Sequence, residues 1–248
     1  TPDGGVIVAG VCDTLDIEAW DPFVVKLSAC GEIQWCRVFN TEDHADFGIK
    51  IRTLPDNNYV FLVKNWNSDE LHSVWLMKLD SNGNMIWEQE YFQNDTLVVP
   101  YLDKNLILTS DGRYLVTGTC FRPILGQVTP YWLWPMMVLA DSTGEAVWET
   151  AWGHTMPFPE QVGGEGFQTV QSGSAYYTSI SNYHISEQNY APCLIKTTLS
   201  GDPVSFHDLV PNTAFGKAST LTKLSDSVFL IGAGYLSFDS LPKLSVLK

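Results

Sequence analysis

The sequence has no run of about eighteen consecutive apolar residues, so no transmembrane helix is expected. Basic residues are scarce: 14 Lys and Arg stand against 28 Asp and Glu, for a formal charge of −14. That balance excludes nucleic acid as a partner, because phosphate binding needs clustered cations to displace counterions. An anionic membrane surface would repel the chain for the same reason, and no membrane insertion is expected. Helical periodicity of useful length is missing throughout. The first residues carry no signal-peptide pattern and open inside a strand-like segment, giving the expectation that further sequence precedes Thr1.

Metal and nucleophile signatures are missing too. The five cysteines (Cys12, Cys30, Cys36, Cys120 and Cys193) show no metal-type spacing, and no two histidines sit at zinc-ligand spacing. No serine-nucleophile elbow or phosphate loop occurs. The expectation is therefore no metal and no cofactor. An odd cysteine count leaves at least one thiol free or paired outside the chain. Cys30 and Cys36 flank one tight turn, and the sequence leaves a disulfide there open.

What is abundant is aromatic and repetitive: nine Trp, ten Tyr and twelve Phe in 248 residues. Three segments align almost without gaps, Val25–Trp35, Met77–Trp87 and Val138–Trp148, each running through an Asp-x-x-Gly-type turn to a tryptophan. A weaker fourth copy runs from Leu194 through Gly201 to Phe206. A second marker precedes each copy. Asp3-Gly4-Gly5 leads into Val6–Gly10, Asp56-Asn57-Asn58 into Tyr59–Val63, and Asp111-Gly112-Arg113 into Tyr114–Gly118. Ser172-Gly173-Ser174 and Asp226-Ser227 open the last two copies.

Each copy reads as strand, Asp-Gly turn, strand, loop, strand, Asp-x-x-Gly turn and strand. Four short antiparallel strands repeating about every fifty residues form the blade of a β-propeller. The fold expected is all-β, a single β-propeller domain with repeats at about 1–39, 40–92, 93–152, 153–209 and 210–248. The first copy lacks its first strand and the fifth lacks its last, for about eighteen strands. The ring is five-bladed, or the chain is part of a larger ring. Trp35, Trp87 and Trp148 are expected to fill the gaps between successive blades. Asp80 and Asp141 resemble calcium-loop acids, but without the downstream bidentate Glu they read as side chains bonding their own turns.

The pattern Asp-Gly-Gly-x-Ile-Val-x-Gly followed by Lys-Leu-Asp-x-x-Gly-x-x-x-Trp resembles the propeller repeats of secreted and surface proteins of the Bacteroidetes, many of them lipoproteins or cargo of type IX secretion. It is also similar to quinoprotein-type propellers, which share the Gly-x-x-x-Trp turn, although no catalytic constellation of that class carries over. The resemblance covers essentially the whole chain and departs from the pattern at Pro203 and Phe206. It implies a location at the cell surface, outside the cell or in the periplasm.

The short turns fall on one face of such a fold and the long 2–3 and 4–1 loops on the other, where binding usually resides. The 2–3 loops are expected to hold Trp20 and Asp21, Trp66 and His72, Phe121 with Tyr131, Trp132 and Trp134, then Tyr183, His184 and Tyr190, and Tyr235 with Phe238. The 4–1 loops are expected to hold His44 and Asp46, Tyr101 and Asp103, and His154 with Glu165. Trp20, Trp66, His72, Tyr131, Trp132, Trp134, His154, Tyr183 and His184 form the expected ligand-binding set, since aromatic platforms beside imidazoles suit sugar rings or peptides. The first reading is a non-catalytic binding or scaffold module for a glycan or protein partner. The alternatives are a glycoside hydrolase or lyase using Asp46, Asp103 and Glu165, and a structural subunit of a larger envelope assembly.

Overall fold

The computed structural model describes residues 1–13, 20–39, 46–66, 72–92, 99–123, 131–152, 161–184, 189–210, 213–237 and 242–247; at several strand ends only the backbone is described. Among these residues the chain is all-β, with eighteen strands. The first blade has three, β1 (Val6–Asp13), β2 (Trp20–Leu27) and β3 (Ile33–Val38). The second has β4 (Phe47–Thr53), β5 (Tyr59–Trp66), β6 (His72–Leu79) and β7 (Met85–Tyr91). The third has β8 (Val99–Leu108), β9 (Tyr114–Pro123), β10 (Tyr131–Ala140) and β11 (Ala146–Ala151). The fourth comprises β12 (Gln161–Ser172), β13 (Ala175–His184), β14 (Asn189–Thr198) and β15 (Pro203–Asp208). The fifth comprises β16 (Thr213–Ser225), β17 (Val228–Ser237) and β18 (Pro242–Leu247).

Neighbouring strands within these blades run antiparallel, and one parallel pairing, Tyr190 with Phe215, joins the fourth blade to the fifth. These are the four-stranded blades of a β-propeller; among the described residues the first and last blades have three strands each. The chain divides into two compact units, Thr1–Val116 with Leu139–Val147 and Thr117–Val138 with Trp148–Lys248, the division running through the third blade.

Burial explains the apolar runs. Val60, Phe61, Leu62 and Val63 on β5 are all buried, so both faces of this middle strand are covered and its sequence shows no alternation. Phe61 and Val63 pack with Val24, Tyr59, Met77 and Leu79, and Ile7, Ala9 and Ile51 close the same cluster. A second core gathers Leu194, Ala218, Leu221, Ile231 and Ala233.

The repeated tryptophans lock each blade to the turn of the next. Trp35 donates its indole N–H to the Ser81 carbonyl at 3.1 Å, and its ring lies against Gly83 and 6.0 Å from the Tyr59 ring. Trp87 sits the same way against Gly144 and Tyr114. Trp148 repeats the arrangement against Gly201 and Tyr176, with its N–H on the Leu199 carbonyl at 3.1 Å. A Cβ on any of these glycines would meet ring carbons at 2.7–3.1 Å, so the turn glycine is fixed by the tryptophan as much as by the turn. Asp80 and Asp141 bond their own turns: Asp80 Oδ1 accepts the Asn82 and Asn84 amides at 2.8 Å, and Asp141 Oδ1 accepts the Thr143 and Glu145 amides.

One point left open by the sequence is answered, and one expectation needs correction. All five cysteines are free, and Cys30 and Cys36 are exposed, so no disulfide closes that turn. The strands also run further toward the long-loop side than the sequence indicated. β9 reaches Pro123 and β10 begins at Tyr131, which puts Phe121, Tyr131, Trp132 and Trp134 on strands.

Candidate functional site

Asp46 is the residue in which the candidate acids and the described structure meet. It precedes β4 and its side chain is 0% exposed. Its amide donates to the Trp20 carbonyl at 2.6 Å, which sets Asp46 against the peptide linking Trp20 to Asp21. Asp21, on β2, is also inside, at 1% exposed. Two carboxylates thus enter the protein at one place, where the start of β2 meets the start of β4. Burying carboxylates is costly unless they are held by partners, and both of these engage other groups of the protein.

The surroundings are aromatic and cationic. Trp20 stands 46% exposed at the first residue of β2, its ring edge-on to Phe47 at 5.1 Å. Lys64, near the end of β5 and 8% exposed, holds its ammonium 6.0 Å from the Phe47 ring centroid. Ser73, opposite Asn65 in the β5–β6 ladder, is buried with its hydroxyl unpartnered. The exposed indole gives this corner a face that can stack on a sugar ring, with a lysine beside it and two buried carboxylates behind it.

The other expected site residues are dispersed. Trp66 and His72 end β5 and begin β6 and face each other in the ladder, while Tyr131 and Trp132 open β10. Tyr183 and His184 close β13, opposite Tyr190 and Asn189. All of these, with Tyr235 on β17, belong to strands and not to loops. Trp134 is 1% exposed and is core, so it offers no surface to a ligand. Asp103 lies on β8 and Glu165 on β12, opposite Ser181. His44, His154 and Phe238 fall outside the described residues. Among the described residues no three His, Cys, Asp or Glu side chains gather as a metal site, and no helix is long and apolar enough to cross a membrane.

Asp21 is the residue that sequence reasoning placed in a loop and passed over as an acid. A signal for it existed. Asp21, Ser73 and Trp134 each stand fourteen positions before the fourth-strand tryptophan of their blade, and all three are buried with a polar group at that register. The repeat itself singles out this end of the third strand.

No protein-family model matches the chain, and no curated protein matches it. Solved structures do match in fold. A polysaccharide lyase, the ulvan lyase of family PL25, superposes with a TM-score of 0.53 at 10% identity over 98% of this chain and 64% of its own. A GH43_1 enzyme from Xanthomonas citri complexed with xylose gives 0.48 at 13% identity, over 98% and 83%. The endo-arabinase from Bacteroides thetaiotaomicron gives 0.46 at 9% identity, over 96% and 92%. At these identities the likeness is one of fold.

Proposed function

We propose that the chain is a glycan-cleaving propeller, a glycoside hydrolase or lyase, with Asp46 as one of its working carboxylates. The observation that carries this reading is the burial of Asp46 and Asp21 on either side of one backbone hydrogen bond, beside the exposed Trp20 ring. Glycosyl hydrolysis needs a carboxyl group held protonated and a second one held ionised within about 5–10 Å of each other. Lys64 and the aromatic pair Trp20–Phe47 supply a cation and a stacking face at the same corner. The fold shared with the ulvan lyase names the class of reaction to test first, and the fold alone assigns no chemistry.

Glycan recognition without cleavage is the second reading, favoured by the exposure of Trp20. Both readings place the protein where polysaccharide is met, outside the cytoplasm. Incubation with a panel of neutral and acidic polysaccharides separates them. New reducing ends without ultraviolet absorbance mark a hydrolase, and reducing ends with the absorbance of an unsaturated uronyl product mark a lyase. Retention on an immobilised glycan with no product marks a binding module.

A further inference from the structure

Charge is distributed unevenly along the inner strand of the second blade. Lys50 and Arg52 are two residues apart on β4, in the regular part of its ladder opposite Leu62 and Val60, so their side chains leave the strand on the same side. Ile51 between them points the other way, into the core with Phe61 and Met77. Four other basic side chains among the described residues meet carboxylates: Lys26 with Asp3 at 2.9 Å, Lys78 with Asp56 at 3.6 Å, Lys223 with Asp226 at 2.6 Å, and Arg113 with Asp111. Lys50 and Arg52 have neutral partners instead. Lys50 Nζ donates to Asn105 Oδ1 at 2.9 Å, and Arg52 Nε donates to the Leu106 carbonyl at 2.9 Å, both on β8. A guanidinium offers five N–H groups and an ammonium three, and these two contacts engage one of each.

Two adjacent cations without a carboxylate, in a protein of formal charge −14, form a place built for an anion that comes from outside. Lys50 is also partly withdrawn from water, while Arg52 is exposed: burial first, and the Arg52 charge second, push the Lys50 ammonium below its ordinary range. A bound oxyanion would relieve the repulsion between the two cations. Its attraction to Lys50 would exceed that of a fully exposed pair, because the ammonium is partly buried.

We propose that Lys50, held by Asn105, and Arg52 form a subsite for the oxyanion of an acidic glycan, a uronate carboxylate or a sulfate ester. The glycan half of this assignment rests on the function proposed above; the anion half stands on β4 and β8 alone. Arg52 takes two oxygens through its free N–H fork, and Lys50 supplies a point charge to the same group.

The test is calorimetric titration of the whole chain with three oligosaccharides of matched length: a galacturonate oligomer, a sulfated neutral oligomer and the unmodified neutral oligomer. The expected result is binding of one or both anionic oligomers, weakened by salt, with the neutral one at least tenfold weaker. Preference for the galacturonate identifies a carboxylate site, and preference for the sulfated oligomer a sulfate site. Lys50→Gln, which can still donate to Asn105, and the more exposed Arg52→Gln should each reduce anionic affinity by about tenfold or more, the size of one charged hydrogen bond. Arg113→Gln, whose native charge is matched by Asp111, should leave it unchanged. Equal affinity for all three oligomers, or anionic binding untouched in Arg52→Gln, overturns the subsite. If free sulfate and galacturonate monomer bind through Lys50 and Arg52 while no oligosaccharide does, the anion site stands and the glycan reading fails.

Discussion

Gly144 offers a direct test of how the blades are locked. It sits at φ +91°, and a Cβ there would meet Gln89 Cγ at 2.8 Å and Trp87 ring carbons at 2.9 and 3.0 Å. Gly112 is the matched control: its φ is +82°, and nothing lies within 4 Å of the added Cβ. Alanine at either position carries the left-handed backbone cost of about 1–2 kcal/mol. Only Gly144→Ala adds overpacking against a rigid indole, a further 1–3 kcal/mol or so. Gly112→Ala should therefore destabilise by about 1–2 kcal/mol and Gly144→Ala by about 2–5 kcal/mol. Urea unfolding followed by circular dichroism reads both. In a Trp87→Ala background the Gly144→Ala penalty should fall toward the Gly112→Ala value, leaving only the Gln89 Cγ contact, and that fall is the coupling a double-mutant cycle isolates. Equal penalties for the two glycine changes, or a Gly144→Ala penalty indifferent to Trp87, would refute the interlock.

Other outcomes follow from the same coordinates. Thr117, Thr169 and Thr178 chain their hydroxyls at 2.6 and 2.8 Å, all buried, so Thr169→Val strands two hydroxyls and should cost about 1–3 kcal/mol, while valine at all three should cost less; thermal unfolding of both variants decides it. Trp134→Ala should lower stability by about 3–5 kcal/mol, whereas Trp20→Ala should cost far less and reduce glycan affinity instead. Asp111 is held at about 2 by Arg113 first and Thr109 second, and Asp80 and Asp141 are lowered by their Asn84 and Thr143 hydrogen bonds. Folded pKa values below the unfolded ones give stability that is present above about pH 4 and lost toward pH 2. The melting temperature should fall across that window, and Asp111→Asn should flatten the fall; an unchanged profile in that variant contradicts the assignment.

Much of the fold was legible because its repeating parts are chemically distinctive. Trp35, Trp87 and Trp148 recur with a turn glycine four residues before each, and the structure shows why neither can vary alone: the ring occupies the space a Cβ on the next blade's glycine would need. The long-loop side was not legible, since Gly and Asp mark only the short turns. Segments such as Tyr131–Trp134 have no breaker to end the strand, and polar-aromatic composition was taken for loop. Trp134 was misplaced by this, and its burial shows that residue type alone does not separate a platform from a core filler. Asp46 was legible as an acid at the start of an inner strand. Asp21 needed its partner across the Trp20 carbonyl to stand out, and Lys50 and Arg52 simply alternate with Ile49 and Ile51, a pattern common to any half-buried strand.

The account turns on Asp46. Asp46→Asn keeps the shape of the side chain and removes its charge, so product formation by the variant and the native protein should be compared on the polysaccharide panel, with circular dichroism confirming equal folding and retention on the immobilised glycan measured alongside. The account predicts that the native protein releases new ends from at least one polysaccharide, and that Asp46→Asn loses about a hundredfold or more of that rate while still binding the glycan. Cleavage at the native rate by folded Asp46→Asn, or no cleavage of any glycan by the native chain, would contradict it.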